Sequence, residues 1–136
     1  TAGGGALALS CDLLGSGEDA VRQVGEARIG MAAPYNLAWL SLRQSESVIS
    51  RVALIGDRLS GVELGQMGLA YRVVPDSDVL SEAQALAKEL AGFPENGLNR
   101  IKTVMRAAQP LTADEWFDQF TQADPVGGTS KPSKVL

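Results

Sequence analysis

With 136 residues, 45% hydrophobic and 21% charged, the chain has the size and composition of one ordinary soluble domain, and no apolar run approaches the roughly 18 residues of a membrane span. Its net charge of −4, with basic residues scattered rather than striped, argues against a nucleic-acid partner. Histidine is absent, which removes Ser-His-Asp hydrolysis, Cys-His chemistry and nearly all zinc sites from this chain.

The first segment, "TAGGGALALSCD", sets Gly3, Gly4 and Gly5 before a short apolar run and predicts a loop-to-helix turn. A triple glycine is also what a close-packed turn uses, so the run alone is not specific for a ligand. Cys11, the lone cysteine, closes no internal disulfide; its apolar surroundings predict a small buried thiol in a reducing, cytoplasmic setting. The chain opens on Thr1 without a signal peptide, from which we expect a start partway through something or after processing.

Two brief strands follow, over 12–16 and 20–24, joined by a turn at Gly17 to Asp19. Such short strands are marginal alone, so completion by residues outside the chain or by another subunit is expected. From Tyr35 the spacing of Leu37, Leu40, Val48, Val52 and Ile55 is helical, interrupted by "RQSES", and ends at Gly56. Trp39 lies on the apolar face and reads as core. Ser60 and Glu63 form a capping box for a short helix that stops at Gly68, and "LAYRVVP" reads as a strand. Val79, Ala83, Leu86, Ala87 and Leu90 make one amphipathic stripe closed by Gly92; Leu98, Ile101, Val104 and Met105 make another. Both helices are expected to bury a face. A final helix starts at a second box, Thr112 to Glu115, and carries Trp116, Phe117 and Phe120, which suit either a subunit boundary or an internal core. The tail after Asp124 has no periodicity.

Taken together, "AGGGALALSCD", "GEARIG" with its Glu26 fourteen residues after Asp12, and "ALIGDRLSGVELGQMGLAYRVVP" resemble the crotonase family, the enoyl-CoA hydratase and isomerase group, from about Ala2 to Ala108. The resemblance implies an α/β fold, the C-terminal part of a ββα spiral followed by a helical trimerisation region. On that basis 1–56 would end the spiral core, 57–124 would be the oligomerisation helices and 125–136 an irregular tail. The implied substrate is an acyl-CoA thioester, with coenzyme A part of the substrate and no separate cofactor, and the implied assembly is a homotrimer or hexamer.

By the same resemblance the backbone N–H of Gly3 would be an oxyanion-hole donor, with Gly4 beside it against the thioester. A thioester enolate places negative charge on one oxygen, which an amide donor and a helix N-terminus both stabilise. Family hydratases use two glutamates; here the first position is Ala6, while the second is retained as Glu26. The aspartate of the dienoyl-CoA isomerase branch is replaced by Pro34, and Tyr35 and Asn36 stand where many members have small glycines. One carboxylate can move a proton between two carbons, whereas adding water is easier with two groups, so the pattern points toward isomerisation. Read without the resemblance, Glu26 is a loop carboxylate paired with Arg28 or Arg22. Two rival readings stay open: a non-catalytic or truncated crotonase-like subunit, and a hydrolase whose N-terminal Thr1 is the nucleophile. Lys131 and Lys134 read as solvated charges rather than phosphate contacts.

Overall fold

The computed structural model describes residues 2–94 and 96–124. They form two compact units, each assembled from separate stretches of sequence. Thr1, Lys131, Lys134 and the tail 125–136 lie outside the described residues.

Among the described residues, the first unit takes 2–10, 23–58 and 113–124. Helix α1 spans Ala2–Leu9, so the three glycines are the first turn of the helix rather than a loop before it. A 3₁₀ turn over Glu26–Ile29 is closed by Gly30 at φ 72, a left-handed position that glycine adopts without strain. Pro34 then starts α2, Pro34–Arg43, where its missing N–H costs nothing and its ring pre-sets φ. Helix α3, Glu46–Ser50, runs on into a π-helical turn over Arg51–Ile55 that Gly56 ends at φ 64. A Cβ on Gly56 would meet the Val24 carbonyl at 2.9 Å, so no other residue fits there unchanged.

Helix α7, Ala113–Ala123, packs along α2. Trp116 Nε1 donates to the Ala38 carbonyl at 3.1 Å, and Phe117 meets Trp39 edge-on at 4.7 Å between ring centroids. The aromatic cluster thus packs within the chain, one of its two expected settings, but Trp116, Phe117, Phe120 and Trp39 are half-buried, so Trp39 is not the core residue expected. Leu9, Val24, Ala33, Ala38, Leu40 and Val52 are buried in this unit. At the far end of α2, Arg43 lies over the Trp39 ring at 5.0 Å and donates to the Ser10 carbonyl at 2.9 Å, fastening the C-terminal end of α1 to that of α2.

The second unit takes 11–22 and 59–112. Strand β1, Gly15–Gly17, pairs in parallel with β4, Arg72–Val74; β2, Val21–Arg22, pairs antiparallel with β3, Leu59–Ser60. Both front strands exist, but the first is shifted to Gly15–Gly17, the second is only Val21–Arg22, and each finds its partner later in this chain rather than outside it. Helix α4, Gly61–Gln66, starts at the expected capping box: Glu63 N–H donates to Ser60 Oγ at 3.2 Å and Ser60 N–H to Glu63 Oε2 at 2.8 Å. Helices α5, Val79–Ala91, and α6, Gly97–Arg106, follow their stripes, but neither buries a residue fully, contrary to expectation. Asp12 sits in a bend, ion-paired to Lys102 at 2.9 Å. Cys11 is exposed, which corrects the expected burial.

Candidate active site

The first unit brings together Glu26 and Asn36, a residue that the sequence marked only as a departure from the family's small glycines. Glu26 opens the 3₁₀ turn and is half-buried. The expected pairing with Arg28 does not hold, because that guanidinium bonds Asp57 Oδ1 at 2.5 Å and the Ile55 carbonyl at 3.1 Å. Instead Asn36, in the first turn of α2 and only 7% exposed, donates from Nδ2 to Glu26 Oε1 at 3.4 Å. Two oxygens in this pair are buried without a hydrogen-bond partner, Glu26 Oε2 and Asn36 Oδ1. Buried acceptors left open in this way are uncommon and mark places where a proton, a water or a ligand donor belongs.

Asn36 was legible only indirectly. It lies one helical turn before Leu40 on a helix whose other buried residues, Pro34 and Ala38, are apolar, and a buried amide needs a polar partner. That partner lies ten residues back across the left-handed Gly30 turn, beyond any helical spacing rule.

Gly3 and Gly4 lie in the first turn of α1, where backbone N–H groups have no intrahelical acceptor and the helix dipole presents its positive end. Ala6 lies on the same helix, so the position expected to carry a second carboxylate in a hydratase offers a methyl group. Pro34 is a buried helix-start residue. In the second unit a separate groove of about 300 Å³ runs between β1, β4 and α5, lined by Leu13, Tyr71, Val74, Leu86 and Leu90 and bordered by the Arg72–Glu82 ion pair. Glu82 raises the Arg72 pKa by hydrogen bonding and charge.

The enoyl-CoA hydratase/isomerase family model matches residues 1–123. The chain belongs to this family. It is 31% identical over 131 residues to 1,2-epoxyphenylacetyl-CoA isomerase of Escherichia coli, covering 95% of this chain and 50% of that protein. It is 25% identical over 116 residues to carnitinyl-CoA dehydratase of Proteus mirabilis, covering 85% and 44%. Among solved structures, an enoyl-CoA hydratase from Mycobacterium marinum superposes with a TM-score of 0.71 at 26% identity, over 88% of this chain and 50% of that one. The mixed helix and strand architecture is thus crotonase-like. The chain spans about half the length of the curated relatives it matches.

Proposed function

We propose that the chain contributes to an acyl-CoA site in which Glu26 is the single acid/base and the Gly3 amide stabilises the thioester oxyanion, with isomerisation favoured over hydration. The observation that carries this reading is Glu26 itself, a half-buried carboxylate with one oxygen held by Asn36 and the other buried and open. In the reaction, Glu26 takes a proton from a carbon beside the thioester, the electron pair is held as an enolate, and the same proton returns to a different carbon. Arg43 joins the C-terminal ends of α1 and α2, and the two helices pack together in the unit that holds Glu26, which supports this reading. Ala6 supplies no second carboxylate to orient a water, which supports isomerisation.

In this reading coenzyme A is part of the substrate, and no further cofactor takes part. The region 57–124 supplies surfaces for a trimer or hexamer, a role supported by the amphipathic helices α5 and α6, which bury no residue fully in this chain. The test is turnover of enoyl-CoA thioesters, with products separated into isomers and hydrates. Glu26→Gln keeps shape and removes the transferable proton. It is expected to lower kcat by about 100-fold or more. Unchanged turnover in that variant would discard the reading.

A further inference from the structure

We propose that Asn36 is a positioning residue that gives Glu26 a hydrogen-bond partner in both of its protonation states, a role that rests on the acid/base reading of Glu26. A single acid/base must be a carboxylate at one moment and a carboxylic acid at the next. A side chain that only donates favours the first state, and one that only accepts favours the second. A primary amide does both. With Glu26 ionised, Asn36 Nδ2 donates to Oε1, the contact seen at 3.4 Å. With Glu26 protonated on Oε2, the new O–H has the open Asn36 Oδ1 as its acceptor, and the two buried oxygens that lack partners become one donor and one acceptor. The proton on Oε2 comes from the substrate carbon and returns to another, so the pair ends each cycle as it began.

The site is built for this. Asn36 is itself buried on the first turn of α2, one turn before buried Leu40, and the left-handed Gly30 turn lies between it and the Glu26 segment. The charged groups on the surrounding elements are engaged or face outward: Arg28 bonds Asp57 and the Ile55 carbonyl, Arg43 bonds the Ser10 carbonyl, and Arg51 on the π-helical turn is exposed. Asn36 is the group whose hydrogen bond to the Glu26 carboxylate is seen.

The experiment is a carbon-13 NMR titration of the Glu26 carboxyl in the full chain, assigned with Glu26→Gln, in wild type, Asn36→Leu and Asn36→Asp. The hydrogen bond to the charged state is the stronger of the two, so Asn36→Leu is expected to raise the midpoint by about half to one pH unit. Asn36→Asp keeps an acceptor, loses the donor and adds a like charge, so it is expected to raise the midpoint by more than about one unit. In parallel, kcat for isomerisation in Asn36→Leu should fall about tenfold with KM nearly unchanged, and its pH profile should move with the titration. A folded Asn36→Leu whose midpoint stays within about 0.2 unit of wild type overturns the inference. If that variant does not fold, an unmoved midpoint in Asn36→Asp overturns it equally. If the midpoints move in the expected order but wild type turns over no enoyl-CoA thioester, the coupling stands and the acid/base reading of Glu26 falls.

Discussion

In the helical unit, α1 and α7 both pack on α2, Leu9, Ala38 and Leu40 are buried, and an aromatic edge contact and a Trp116 hydrogen bond join α7 to α2. Among the described residues of the strand unit only Leu59, Leu64 and Ala70 are buried apolar residues, and what fixes the backbone is a capping box, two short ladders and the close approach of a helix start to a strand. The first unit is held by side-chain burial, the second by backbone geometry. This difference suits their contents. The acid/base role proposed for Glu26 needs a packed, water-poor frame around Asn36, whereas short strands with sparse burial require their local rules to be met closely.

The strongest way to break the contrast is Leu40→Ala. Leu40 is 1% exposed and is the largest fully buried side chain among the described residues. Its truncation should cost about 2 to 5 kcal/mol, the range for a buried leucine whose site collapses only partly. Denaturant unfolding measures the loss, and hydrogen exchange should accelerate first in α2 and α7 while the β1–β4 ladder changes little. Gly61→Ala is the counterpart. A Cβ at Gly61 would run into the Gly17 carbonyl and sit 3.0 Å from Ser16 Oγ, in the strand that pairs with β4. Because the obstacle is backbone, relief requires moving α4 off β1, and the expected cost is about 1 to 3 kcal/mol. Here exchange should rise in the strand ladder first. Equal effects of both variants on both units would erase the distinction.

The same contrast explains what the sequence made legible. Local signals were sufficient where structure is local: the Ser60–Glu63 box, the Gly56 stop, the stripe ending at Gly92 and the proline-led start of α2 can each be read within four residues. Pairing was not legible, because β1 finds β4 more than fifty residues on, and a three-residue strand carries too little alternation to name its partner. The glycine run misled by composition. Glycine is a poor helix former, yet Gly3, Gly4 and Gly5 are the helix start itself. At the site, Glu26 was singled out only through the family resemblance, and its partner was sought among cations. Arg28 was already committed to Asp57, and the carboxylate took a neutral amide.

Ser60→Ala gives the smallest and sharpest test, because it removes one atom and leaves every buried apolar contact in place. Ser60 Oγ accepts from the Glu63 N–H, and Glu63 Oε2 reaches back to the Ser60 N–H and hydroxyl. The variant loses the forward bond and keeps the backbone donor of the return bond. The expected cost is about 1 kcal/mol, within the usual range for an N-cap serine. Ser60 also faces Val21 in the β2–β3 pair, so fraying of α4 should reach that pair. Exchange at the first-turn amides of α4 and at β2 should therefore quicken together, while the amides of α2 keep their protection. If α4 loosened without β2, the cap would serve its helix alone, and the strand unit would depend less on local backbone rules than the comparison holds.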